Sequence, residues 1–145
     1  MDIDRWLPEF AHIPGETPRH EEGYFEFLTS TCPQHISFAD LQNSNLYTTA
    51  VRIGLHRYFW ECHELLEPLW MVSKQGSSEK LHLQSLIQLA NAGLKARMGR
   101  ENAVRRLLLI SQELHGQACV VNQLPDYALH HFTKLSALVA SEQIK

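Results

Sequence analysis

From Asn45 onward, apolar residues return every three or four positions, and no stretch alternates with a period of two. That spacing lines one face of a helix and leaves nothing that could pack as a half-buried strand. Val51, Leu55, Phe59, Cys62, Leu66 and Leu69 form one such stripe, which predicts a helix from Asn45 to about Val72. The run Gln75-Gly76-Ser77-Ser78 breaks it. Leu83, Leu86, Ile87, Ala90, Leu94 and Met98 line a second helix, ended by Gly99. A third is expected from about Arg100 to Leu114 on Ala103, Leu107, Ile110 and Leu114, with Gly116 closing it. Pro125-Asp126 opens a fourth, with Leu129, Phe132, Leu135 and Val139 inward. The expected fold class is all-α: a single-domain helical bundle of four main helices, with short connections that favour antiparallel neighbours.

Residues 1–45 read differently. They hold four of the six prolines, Pro8, Pro14, Pro18 and Pro33, and Pro14-Gly15 signals a turn. A short helix is expected around Glu21 to Thr29. Another starts at Ser37, where Ser-Phe-Ala-Asp approximates a capping box. Trp6, Phe10, Tyr24, Phe25, Phe27 and Phe38 are too many aromatics for a free tail. Residues 1–45 are therefore expected to form an arm wrapped on a helical bundle of residues 46–145, one domain overall.

Composition narrows the function classes. At 145 residues and 44% hydrophobic, the chain suits one domain with a real core, not a disordered tail. A net charge of −3 gives no global attraction to nucleic acid. Lys95, Arg97, Arg100, Arg105 and Arg106 do cluster around one turn. No Phe, Trp or Tyr accompanies them between positions 71 and 126, so bases would have no stacking platform and nucleic acid is not an expected partner. Cys32, Cys62 and Cys119 are an odd number without a C-x-x-C pair, as expected of reduced thiols. The start, Met1-Asp2-Ile3-Asp4-Arg5, is acidic where a signal peptide is basic, and no segment suits a bilayer. A soluble cytoplasmic chain with no membrane partner is expected.

The chemistry-bearing residues concentrate between Tyr58 and Trp70. At about 100° per residue, His56, His63, Glu67 and Trp70 share a stripe beside the apolar face, and His63 and Glu67, four apart, can touch. In the next helix Gln84, Gln88, Asn91 and Lys95 lie in the same relation to their own apolar face. Antiparallel packing would bring the two stripes together as a polar cluster in which Gln, His and Glu satisfy one another. Pro68 cannot donate to the carbonyl of Glu64, which leaves an acceptor beside that cluster. A plain packing kink is the bland reading of the same proline.

The run Glu61-Cys62-His63-Glu64-Leu65-Leu66-Glu67-Pro68-Leu69-Trp70 resembles the signature of domain-of-unknown-function family 309, a group of small all-helical proteins. Leu83-Gln84-Ser85-Leu86-Ile87-Gln88-Leu89-Ala90 is similar to that family's LQ-x-LIQ-x-A segment, and Gly99-Arg100-Glu101-Asn102-Ala103 to the turn that follows. Pro68, Ser85 and Lys95 depart from the pattern. The resemblance spans roughly residues 50 to 115; it implies the helical fold and brings no activity with it.

Three readings follow for His63, Glu64, Glu67, Trp70, Gln84 and Gln88. The first is an uncharacterised helical domain whose polar cluster is structural or binds a small ligand. The alternative is a divalent metal held by His63 and Glu67 with Glu64, in a metal-binding or metal-assisted hydrolase-like site. The zinc-protease motif H-E-x-x-H fails, because Glu67 stands where its second histidine belongs. The Glu9–His12 pair has di-iron spacing but lies in the proline-rich segment. A third reading is a helical interaction module or homo-oligomer. No G-x-S-x-G elbow or phosphate-binding loop is present, and Cys62 and His63 point about 100° apart on a helix. No catalytic residue and no cofactor besides that metal is therefore named.

Overall fold

Three serines start three of the helices. Ser37, Ser44 and Ser77 each accept the backbone N–H of the residue three positions on, Asp40, Tyr47 and Lys80, at 3.1, 3.2 and 3.1 Å. The computed structural model describes residues 1–142. Its described residues form seven helices and no strand: α1 Glu26–Thr29, α2 Phe38–Gln42, α3 Asn45–Leu55, α4 Phe59–Val72, α5 Ser78–Arg97, α6 Glu101–Val121 and α7 Asp126–Ser141. The all-α expectation holds. So does the serine cap at Ser37, while the short helix expected around Glu21 to Thr29 is confined to Glu26–Thr29.

The helix expected from Asn45 to Val72 is two helices, α3 and α4. Arg57 takes a left-handed φ of 71°. Its N–H reaches the carbonyl of Gly54, and the N–H of Tyr58 that of Ile53, both at 3.0 Å. These are the paired bonds of a Schellman stop. Gly99, φ 74°, ends α5 with the same pair, Gly99 to Ala96 and Arg100 to Lys95. One stop was legible because it uses glycine; the other uses arginine, which rarely adopts that backbone. Two further corrections concern the later helices. Gly116 does not close α6, which runs on to Val121. Leu129 is exposed, not inward.

The core is built around α5, which packs against α4, α6 and α7, while α3 packs on α4 and α7. Leu65, Leu66, Leu69, Leu83, Leu86 and Leu89 are fully buried between these helices. Two glycines set their approach. A Cβ at Gly93 of α5 would lie 2.5 Å from the ring of Phe59, and one at Gly54 of α3 would lie 2.8 Å from the sulfur of Cys62. Arg52 of α3 ties down the N-terminal segment by donating to the carbonyls of Ile3 and Trp6, at 3.0 and 2.6 Å. Trp6 in turn packs edge-on against Phe25 and Phe27. No helix among the described residues is long and apolar enough to cross a membrane. Among the three free cysteines, Cys62 is buried and Cys119 exposed.

Candidate functional site

Helix α4 turns Phe59, Cys62, Leu65, Leu66 and Leu69 into the core, which leaves His63, Glu64 and Glu67 partly exposed on a flank. His63, Glu64 and Glu67 come together there. The Nε2 atom of His63 lies 3.3 Å from Glu67 Oε2, and its Nδ1 lies 3.6 Å from Glu64 Oε1. One donor atom from each of the three can be chosen so that all lie within 4.8 Å of one another. The group is half-open, with 23% of the His63 side chain exposed and more of both glutamates.

Among the described residues, no hydrogen bond or ion pair ties the other predicted residues to this group. His56 caps the end of α3 and is exposed, off the α4 stripe. Gln88 accepts from Asn91 along its own helix at 3.4 Å, and among the described residues no hydrogen bond joins Gln84 or Gln88 to His63 or Glu67. Trp70 lies under the ammonium of Lys80, 4.4 Å from the ring centre, and Lys80 donates to the Trp70 carbonyl at 3.0 Å. That cation is a second donor to a carbonyl at the end of α4 that already accepts the Ser73 N–H at 3.2 Å. The helix runs through Pro68 to Val72 without ending.

Two polar groupings escaped the sequence reading. The first centres on Glu61, whose side chain is fully buried where the N-terminal segment crosses α4. Its Oε2 accepts the backbone N–H of His12 at 2.7 Å and lies 2.6 Å from His20 Nε2, the donor in that pair; its Oε1 is sealed without a partner. The His20 ring is sandwiched between Phe10 and Tyr24, with centroids 4.6 and 4.5 Å away. The His12 ring stands edge-on to Trp60, and its Nδ1 donates to the carbonyls of Thr17 and Pro18. Such a pairing over 41 positions has no spacing rule. One sign was present: Glu61 lies only about 40° around the helix from inward-facing Leu65.

Beside this grouping runs a cleft of 680 Å³ between residues 19–29 and α4. Trp60 and Glu64, one turn apart, form its α4 wall, with His20, Tyr24 and Phe25 opposite. Glu64 therefore belongs both to this cleft and to the His63 donor group.

The second grouping ties α3, α5 and α7 together. Tyr47 Oη lies 2.9 Å from His82 Nε2 and 2.9 Å from His131 Nδ1. Burial, reinforced by His131 and His115 nearby, pushes the His82 pKa down to about 3, while burial first and Tyr127 second push the Tyr47 hydroxyl well up. Both stay neutral and hold the core. Glu79 and His82 also have E-x-x-H spacing, but His82 spends its bond on Tyr47. Burial and then the charge of Glu61 raise the Cys62 thiol to about 12, so it is no nucleophile.

No curated protein and no solved structure matches the chain significantly. Residues 47–107, from α3 into α6, span the His63 group, Glu61 and the Leu83–Ala90 block, and they match the family model described as Domain of unknown function (DUF309), the family these blocks resemble.

Proposed function

We propose that this protein binds a small ligand in the cleft between residues 19–29 and α4, with a divalent cation at its lip. His63 through Nε2, Glu67 and Glu64 would hold that cation. The observation that carries the reading is the convergence of three donor atoms within 4.8 Å on a half-open face that borders a 680 Å³ cleft. One imidazole and two carboxylates suit a first-row divalent ion such as Mn²⁺, Fe²⁺ or Zn²⁺. Donors from a single helix leave coordination positions for water or a ligand, as in open sites. A purely structural cluster would be sealed and saturated. Here His63 is half-buried with no hydrogen-bond partner for its Nδ1 among the described residues, and both glutamates are more than a third exposed, so the pairs contribute little to stability. The same reading takes residues 1–45 as an arm that closes over the bundle and supplies one wall of the cleft.

Titration of untagged protein with Mn²⁺, followed by calorimetry and by the electron paramagnetic resonance signal of free Mn²⁺, tests this. One ion should bind per chain. Binding should disappear in His63→Ala and Glu67→Gln and persist in Gln84→Ala, whose side chain makes no bond to the group. Absence of saturable binding of Mn²⁺, Fe²⁺ and Zn²⁺ would remove the cation from the proposal.

A further inference from the structure

Glu61 and His20 form a carboxylate–imidazole couple that the cation site does not use. A carboxylate oxygen only accepts, so the 2.6 Å contact places a hydrogen on His20 Nε2, and in the neutral ring the lone pair is then on Nδ1. Phe10 and Tyr24, stacked at 21° and 11° to the ring, fix its plane. Only 3% of the His20 side chain is exposed. Among the described residues Nδ1 has no hydrogen-bond partner, and it is not one of the sealed, unpartnered side-chain atoms, which include Glu61 Oε1 and His82 Nδ1. His20 lines the 680 Å³ cleft and also a smaller one of 360 Å³ beside Glu9 and Phe10. A fixed ring, a decided tautomer and a bare nitrogen beside a cavity are what general acid–base chemistry requires.

We propose that His20 is the acid–base residue of the cleft, with Glu61 as its positioning carboxylate, acting on an acyl compound that is neutral or bears an amine. The rim supplies the ligand class: apart from Glu64, Glu21, Glu22 and Glu26 line the cleft with Arg19 as the cation among them, which disfavours phosphate esters. Nδ1 would take a proton from water as the water oxygen bonds to the carbonyl carbon. When the carbon–leaving-group bond breaks, the same proton passes to the leaving group, and Glu61 offsets the imidazolium charge between the two steps. The inference deepens the cleft reading and rests on it, but not on the cation.

The test is carbethoxylation of metal-free protein by diethyl pyrocarbonate, with the rate at each histidine mapped by mass spectrometry. In this reaction an N–C bond forms as the anhydride C–O bond breaks, so it reports a bare, reachable nitrogen. His20 should react at least as fast as exposed His35 and about tenfold or more faster than sealed His82. Glu61→Gln should slow His20 by about tenfold; a merely structural contact, once loosened, would expose the ring and speed it up. His20 as inert as His82, or a rate unchanged or raised in Glu61→Gln, overturns the proposal. Wild-type protein should also hydrolyse p-nitrophenyl acetate faster than His20→Gln, and equal rates would remove the acyl assignment. The Mn²⁺ titration is a separate measurement: a reactive His20 in protein that binds no Mn²⁺ sinks only the cation, and the converse sinks only this inference.

Discussion

Glu61→Ala is the sharpest test of how the N-terminal segment is held. The substitution removes a fully buried carboxylate and strands two donors, the His20 ring at 2.6 Å and the His12 backbone N–H at 2.7 Å. Deleting one partner of a buried pair costs about 3–5 kcal/mol. Oxygen Oε1 is already unpartnered, so the wild-type gain is incomplete and the lower end, about 3 kcal/mol, applies. Unfolding entropy near 2.1 cal/mol/K per residue makes 1 kcal/mol equal to about 3 °C at this chain length, which gives a Tm lower by about 10 °C. Arg52 still grips Ile3 and Trp6, so the loosening should centre on residues 9–25. Calorimetry gives the Tm, and hydrogen exchange shows where protection is lost. A Tm within about 3 °C of wild type, with exchange at residues 9–25 unchanged, would refute the assignment of Glu61 as the anchor.

Three further outcomes are expected. His63→Ala should lower stability by less than about 1 kcal/mol, because its partners are exposed; a loss of several degrees in calorimetry would instead mark the group as structural. Gly93→Ala should destabilise by about 1–2 kcal/mol, since a Cβ 2.5 Å from the Phe59 ring costs more than the roughly 1 kcal/mol of helix propensity gained, whereas Gly116→Ala, with open space around it, should stabilise by up to about 1 kcal/mol. Urea midpoints for the two variants check both signs. The unfolded chain takes a proton on His82 near pH 6.5 that the folded chain refuses until about pH 3. This contribution is therefore complete above pH 6.5 and is lost as pH falls toward 3, by up to about 5 kcal/mol. His82→Asn should flatten the stability–pH profile measured between 7 and 4, and profiles that stay parallel would contradict the argument.

The sequence by itself determined the helical class and most helix ends, because a 3.6-residue period and capping chemistry are local. Ser37 and Gly99 act where they stand. The same locality found His63 and Glu67, which meet across one turn of a single helix. Tertiary structure decided the rest. Arg57 stops α3 in a backbone conformation that its side chain does not announce. Gly116, elsewhere a stop signal, is carried through a helix packed along α5. The facing of Gln84 and Gln88 toward His63 depended on how α4 and α5 are rotated against each other, and each helix satisfies the local pattern at any rotation. The pairs His20–Glu61 and Tyr47–His82–His131 join residues 35 to 84 positions apart. Periodicity carries no information over such distances; only packing, by excluding water from a carboxylate or an imidazole, forces it to find a partner.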